Sequence, residues 1–464
     1  MTGYLTNHQV DYVLFHLGHS CELSSGIRGR MGFYRKGQTG DHQIQFRLSS
    51  DGLDETKIVY LDGLPILFPG PMASQQSWYD LEDSKLIFHH DLLKSCFYLL
   101  TGRQEIEEKR FDSFGRFSFD RSIQKRLGII HTPLVNYYFE IIILAMERWN
   151  ERTGMSFRRR KIFKNWAFFL THDVDSIDTY TLHEAGYRLK QLVGMTPSSE
   201  TLSQRLRIAG RYLFQSMNIW GRENPHWDFE FLRETERRHG LKSAFYFLPR
   251  GRLHHDAYYR FSEGRIRQLF GELDRQGCEI GLHGTVASST SLESLKRDKK
   301  LLERHSPQEV RGIRQHRLLF NRDITHALQE EAGLQYDTTV GFAEHEGFRN
   351  SYCLPFRPYD HQKERMMGIW EIPLAMMDVT MFGYRRLNFG EIMETTTRLL
   401  NEVTRFHGVF TLLWHNGQGD EFLIPGIRSF YRSLLAMITE RRPESLLGNE
   451  ILRRMHPNEP LSNR

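Results

Sequence analysis

Cysteine is scarce in this chain: Cys21, Cys96, Cys278 and Cys353 are the only four among 464 residues, and they are widely spaced. None forms a CxxC pair, which argues against a disulfide framework or a thiolate metal site and predicts four free thiols. Long apolar runs are also missing, and the stretch Ile141 to Met146 falls far short of the ~20 residues that a membrane helix needs. The N-terminus, Met1-Thr2-Gly3-Tyr4-Leu5-Thr6-Asn7-His8, has no basic segment followed by an apolar core, so the expected location is the cytoplasm. Concentrated charge of one sign is lacking as well. The 62 basic residues are spread among 57 acidic ones for a net charge of +5, whereas nucleic-acid binding wants a dense basic face with interleaved aromatics. The one dense run, Arg158-Arg159-Arg160-Lys161 with Lys164, reads as a solvated linker with at most a weak attraction to anionic glycan or lipid headgroups. What is present, 39% hydrophobic, 26% charged and 12% aromatic residues, describes a globular protein without repeats or low-complexity tracts.

This length exceeds one ordinary core, so two domains are expected, residues 1–165 and residues 166–464. The first carries short strand-like pieces, Lys57 to Leu61 and Leu64 to Phe68, punctuated by Gly63, Pro69-Gly70 and Pro71. Helical spacing follows over His90 to Leu100 and over Val135 to Trp149 behind Thr132-Pro133. No cluster of catalytic type occurs there, so the role expected of this region is structural or substrate-positioning. After Trp166 short apolar runs alternate with helices, the pattern of a parallel α/β sheet or barrel. The expected strands are Ala167 to Leu170, Ser243 to Leu248, Glu279 to Leu282, Gly312 to Arg314, Ile369 to Leu374 and Val409 to Trp414. A charged, helix-like stretch from His183 to Trp220 interrupts them, an insertion or lid at about 180–228. A crossover helix from Asp228 to Gly240 follows.

In parallel α/β folds the strand C-termini gather at one mouth, so the residues just past each apolar run are the ones to compare. The first run ends in Thr171-His172-Asp173-Val174-Asp175, where alternation puts Asp173 and Asp175 on one side. Two carboxylates beside an imidazole can hold a divalent cation and keep one base free, although an isolated D-x-D can also cap a helix. The third run ends in His283, the fourth in Arg314-Gln315-His316 and the last in His415.

These segments resemble, in order, the motifs of the polysaccharide deacetylase family, also called the NodB-homology or carbohydrate esterase family 4 group. Thr171 to Asp175 resembles its first motif and His283-Gly284-Thr285-Val286-Ala287 its second. Arg311 to His316 resembles the third and Leu412-Leu413-Trp414-His415 the closing one, with Phe245-Tyr246-Phe247 similar to its second strand. The likeness covers about residues 166 to 420, and the N-terminal region resembles a companion domain of a bacterial subgroup.

The resemblance implies a distorted (β/α) barrel of the NodB-homology type behind a smaller mixed α/β N-terminal domain. It also implies metal-dependent removal of an N- or O-acetyl group from a saccharide or unfinished glycan precursor. A divalent ion, zinc by the family's habit, would sit on Asp175 and His283. Asp173 would be the general base, Arg314 its charged support and His415 the general acid. The second motif departs from the family pattern, because Ala287 stands where a second metal-binding His is expected. His316, where the family usually has Pro, and His172, beside the Asp pair, are the expected replacements; His345 and His361 are more remote ones. Two readings compete with the enzyme: a degenerate sugar-binding or scaffold protein without metal, and another hydrolase of non-peptide C–N bonds. Asp337 could face Arg311 or Arg314 as a site carboxylate, or cap a strand end. Asp378 could touch substrate hydroxyls and the Gly341-to-Phe356 loop could line a groove, while Tyr246 and Trp414 read as core or wall aromatics that could also stack on sugar.

Overall fold

The structure, a computed structural model, describes residues 2–456 apart from 71–75, 109, 197–199, 218–223 and 252–255. Pro71 and Trp220, named above as a turn and as a helix end, lie outside the described residues. The N-terminal domain is built on a four-stranded mixed sheet in the order Met31–Tyr34, Ile44–Arg47, Lys85–Phe88, Tyr79–Glu82, with only the last pair antiparallel. Val59–Leu61 and Leu64–Ile66, within the two strand-like pieces, pair as a hairpin. Asp62 and Gly63 both take positive φ, 50° and 77°, as a two-residue hairpin turn of the primed type requires. Helices Leu92–Leu100 and Leu134–Thr153 lie where the periodicity places them.

The second half is a nine-stranded, wholly parallel sheet wrapped by helices. Its order is Trp370–Glu371, Tyr336–Asp337, Gly312–Gln315, Glu279–Gly284, Ser243–Phe247, Ala167–Val174, Val409–Leu413, Met376–Met377, with Glu444–Ser445 also pairing the opening strand. Laid flat, the eight strands of this path would separate its two edges by ~34 Å at ~4.8 Å per strand. Yet the edge strands Trp370–Glu371 and Met376–Met377 are joined by the four residues Ile372 to Ala375, and Glu371 to Met376 spans at most ~18 Å of extended chain. The sheet therefore has to curl into a half-barrel with its C-terminal ends at one mouth. Every residue of Ala167–Val174 is buried, and this strand runs four residues beyond the apolar stretch that announced it.

The insertion folds as two packed helices, Leu182–Leu192 and Leu202–Met217, and the crossover helix is Phe229–Arg238 with Gly240 at φ 64° behind it. One continuous apolar core runs from Phe97, Phe139 and Trp149 of the N-terminal domain through Tyr352 and Phe356 to Phe169, Tyr246 and Tyr336 of the barrel. The Gly341-to-Phe356 loop is consumed by this junction: most of it is buried, and of its residues Ala343 borders the mouth. All four cysteines are free and buried. Among the described residues no helix is long and apolar enough to cross a membrane. Arg159, in the run read as solvated linker, is tied to Glu147 at 2.7 Å and Glu140 at 2.8 Å.

Candidate metal and catalytic site

Strand parity decides what reaches the mouth. Thr171 and Asp173 face the barrel interior, where Arg314 meets both: its Nη1 donates to Thr171 Oγ1 at 2.9 Å and to Asp173 Oδ1 at 3.0 Å. Arg314 is itself fully buried, with Nε donating to the Thr338 carbonyl at 2.9 Å and Nη2 to Thr338 Oγ1 at 3.1 Å. Its guanidinium lies 5.0 Å from the centre of the Tyr246 ring. That ring is admitted by Gly281 on the next strand, where a Cβ would stand 2.5 Å from it. A buried, hydrogen-bonded arginine thus fixes the orientation of Asp173 and leaves Asp173 Oδ2 facing the mouth, 3.7 Å from His283 Nε2.

His283 pairs in register with Arg314, and its Nδ1 donates to the Arg314 carbonyl at 2.9 Å. That bond sets the tautomer and turns the Nε2 lone pair toward the mouth. Three donor atoms then converge. His283 Nε2 and Asp175 Oδ1 are 3.1 Å apart, His316 Nδ1 and Asp175 Oδ1 3.4 Å, and the two imidazole nitrogens 3.1 Å. A tetrahedral ion with ligands at ~2.0–2.1 Å separates its donors by about 3.3 Å, so this spacing suits zinc or a similar ion. Asp175 Oδ1 is buried and accepts no well-formed hydrogen bond, as expected of an atom whose partner is a cation. Burial would raise Asp175, but the facing His316 and His283 rings hold it well below the usual carboxylate range. His283, against its burial, is raised by Asp173 and Asp175.

His316 is delivered by an unusual turn: the chain passes through left-handed conformations at Arg317 and Leu318, with φ of 60° and 53°. Such strain at non-glycine residues, of order 1–3 kcal/mol each, collects at functional sites. His316 is therefore the replacement that the structure brings to Asp175 and His283. His172 is not. Being one residue from Asp173 on the same strand it faces outward, stacked on Phe245 at 4.5 Å, with Nδ1 donating to the Trp414 carbonyl at 2.7 Å and Nε2 2.9 Å from Glu236.

His415 follows the last strand, and Asp378 grips it with both oxygens. The His415 Nδ1–H donates to Oδ1 at 2.6 Å and the backbone N–H to Oδ2 at 2.7 Å. Burial would lower this imidazole, but Asp378 foremost, with Asp175 and Asp173, holds it up at about 10. His415 Nε2 lies 3.9 Å from Asp175 Oδ2. Asp378, read from the sequence as a substrate contact, is completely buried and serves His415 instead.

Other expectations need correction too. Trp414 is buried in the outer core, 4.7 Å from the Tyr431 ring, and Tyr246 lies inside the barrel with its hydroxyl 2.9 Å from that of Tyr336; neither reaches the mouth. Asp337 pairs with Ile313, not Arg314, and so shares Ile313's outward face. There it sits 3.5 Å from His326, which also lies 2.9 Å from Glu371, in a closed buried cluster. His345 belongs to a separate group with His131 and Glu346, and His361 packs near Phe97 and Arg103.

Asp173, Asp175, His283, His316 and His415 all line one cavity of about 690 Å³, within the range of small-ligand sites. The N-terminal domain contributes to its wall through Phe114 and Arg116, the latter donating to the Arg317 carbonyl at 2.9 Å and to Asp112 at 2.7 Å. Sequence reasoning missed this contribution, because nothing in residues 108–118 resembles a site until the domain is docked.

A family model described as a family of unknown function, DUF7033, matches residues 17–151. No curated protein matches the chain. Among solved structures, the chain is similar to a Mycobacterium smegmatis protein assigned as a polysaccharide deacetylase, at 16% identity over 62% of this chain and 89% of that one, with a TM-score of 0.41. It is similar to Puue allantoinase at 12% identity, covering 64% and 91% of the two chains with a TM-score of 0.40. A carbohydrate esterase family 4 pseudoenzyme from Bacillus anthracis matches at 12% identity, covering 62% and 66%, with a TM-score of 0.30. These likenesses are distant, and the half-barrel stands on its own strand order and pairing.

Proposed function

We propose that the protein is a metal-assisted hydrolase that removes an N- or O-linked acetyl group from a carbohydrate. The observation that carries this reading is the convergence of Asp175, His283 and His316 within 3.4 Å of one another, beside an Arg-held Asp173 and an Asp-held His415. Two histidines and one carboxylate leave a position open on a divalent ion, and such an ion, when bound, supplies Lewis-acid polarisation of the acetyl carbonyl and of a water. Asp173 Oδ2 accepts the proton of the attacking water, while the Arg314 bond to Oδ1 keeps the carboxylate aimed and its charge compensated. His415, protonated and held by Asp378, donates a proton to the departing sugar nitrogen or oxygen, so that water adds across the broken bond to give acetate and the free amine or alcohol. The carbohydrate is what the resemblance of these motifs to the polysaccharide deacetylase family implies. The cavity admits a small saccharide unit.

The test is elemental analysis of the purified protein joined to acetate release from a panel of acetylated sugars. About one equivalent of zinc or a similar ion is expected. Asp173→Asn should lower turnover by 10² or more while leaving metal content near that of the parent. A wild-type protein that takes up no metal on reloading sinks this reading and leaves the non-catalytic binder.

A further inference from the structure

The surface around the mouth is unusually apolar. Eighteen large apolar side chains are exposed among the described residues, and ten of them lie on the helical insertion, between Leu182 and Met217. Four more, Phe114, Tyr258, Val379 and Tyr384, line the cavity itself. On the first helix Leu182, Leu189 and Val193 recur at i, i+7, i+11, and on the second Leu202, Leu206, Leu213 and Met217 recur at i, i+4, i+11, i+15; each set is one stripe. The hairpin's own core is a separate cluster of Tyr180, Ala185, Ile208 and Tyr212, and no stripe residue belongs to it. Leu182 is 75% exposed and Phe214 64%.

Charge on the insertion is one-sided. Between residues 182 and 217 there are five basic residues, Arg188, Lys190, Arg205, Arg207 and Arg211, against Glu184 and Glu200. Lys190 and Arg207 are exposed beside the stripes. The hairpin is also fixed to the site: His183, Glu184 and Tyr187 line the cavity, and Arg207 and Arg211 lie 4.5 and 4.2 Å over Phe422, seven residues past His415. An apolar stripe with cationic flanks, on helices that lie along a surface, matches the acyl boundary and phosphate layer of an anionic bilayer.

We propose that the Leu182–Leu192 and Leu202–Met217 hairpin docks the protein on an anionic membrane surface, with the mouth of the half-barrel facing the headgroups. On the hydrolase reading above, the substrate is then a saccharide presented at a membrane. The docking itself does not depend on catalysis and is tested without it.

Flotation of the full-length protein is compared between vesicles of phosphatidylcholine alone and vesicles containing about one third phosphatidylglycerol. The wild type should float with the anionic vesicles, less with the neutral ones, and less when salt is raised from about 0.1 M to about 0.5 M. Leu202→Asp with Leu206→Asp, both on the exposed stripe of the second helix, should lower the anionic partition at least about tenfold, because each apolar side chain withdrawn from the acyl boundary is worth about that factor. Lys190→Glu, which leaves both stripes intact, should weaken binding to anionic vesicles while sparing the residual binding to neutral ones. Thermal unfolding checks that each variant keeps the wild-type fold. Absence of vesicle binding by the wild type, or equal binding by the double variant, overturns the proposal. So does a wild-type dimer in solution that the double variant converts to monomer, which would make the stripes a self-association face.

Discussion

Glu105 fastens the N-terminal domain to the barrel, and its replacement by Gln gives a stability effect whose size and pH window follow from the geometry. The carboxylate meets two arginines of the barrel half. Arg322 reaches it through Nη2 at 2.8 Å and Nε at 3.3 Å, and Arg349 through Nη2 at 2.8 Å and Nε at 3.0 Å. All three side chains are buried, none more than 4% exposed. Burial would raise Glu105, but the two guanidiniums overcome it and hold the group at about 2. A carboxylate depressed in the folded state adds stability above its unfolded value, and that stability is lost as pH falls through the folded value. The gap from 4.5 to about 2 corresponds to ~3–3.5 kcal/mol at ~1.4 kcal/mol per pH unit. Breaking a buried pair by removing one partner costs ~3–5 kcal/mol by a separate route, so the two figures agree. Urea unfolding followed by tryptophan emission should therefore show Glu105→Gln less stable by about 3 kcal/mol at pH 7. The difference between wild type and variant should shrink as pH drops from about 4.5 toward about 2. A difference that stays constant over that window, or that is below ~1 kcal/mol at pH 7, would refute the assignment of the stabilisation to this ionised carboxylate.

Three further substitutions separate roles inside the site. His316→Ala should reduce bound metal well below one equivalent, whereas His172→Ala should leave metal content unchanged. The latter should instead destabilise the fold by about 1–3 kcal/mol in chemical unfolding, because Glu236 loses its buried imidazole partner and keeps only the hydroxyls of Ser243 and Tyr431. The reverse pattern would show that the wrong histidine had been chosen. Asp378→Asn should lower kcat for acetate release by about 10² or more with metal content intact, since His415 loses the carboxylate that orients it. A change confined to KM would place Asp378 in substrate binding, as its sequence position first suggests.

The fold was legible because burial on both faces leaves a plain record: six short apolar runs alternating with helices, four of them closed by ionisable residues, are the pattern of parallel strands with a common mouth. Where reading failed, the cause was parity or distance. His172 and Asp173 are neighbours in sequence and opposites in space, and ending the strand at Leu170 concealed this. Extending it to Val174 puts His172 with Leu170 toward the helices and Asp173 with Thr171 toward Arg314. Asp337 fails for the same reason, since its register partner is Ile313. Asp378 was misread through distance, because its partner His415 stands 37 residues later and no local pattern joins them. Glu105 and Arg116 carry no motif at all and acquire meaning only when two domains share a core.

In the proposed ligand set His316 stands in for the histidine that the resembled motif would place at Ala287. Neighbouring strands stand only ~4.8 Å apart, so the end of the fourth strand can supply a side chain to the mouth beside the end of the third. His283 and Arg314 are register partners, so His316, two residues farther along, emerges one strand over and about 6.6 Å beyond the level of His283. What it needs is a turn that brings Nδ1 back toward Asp175, and the left-handed pair Arg317 and Leu318 supplies one. Arg116 of the N-terminal domain bonds the Arg317 carbonyl at 2.9 Å and so braces that turn from outside the barrel. The companion domain is thereby tied to the geometry of the proposed ligand set, which gives a physical reason for the two halves to travel together on one chain.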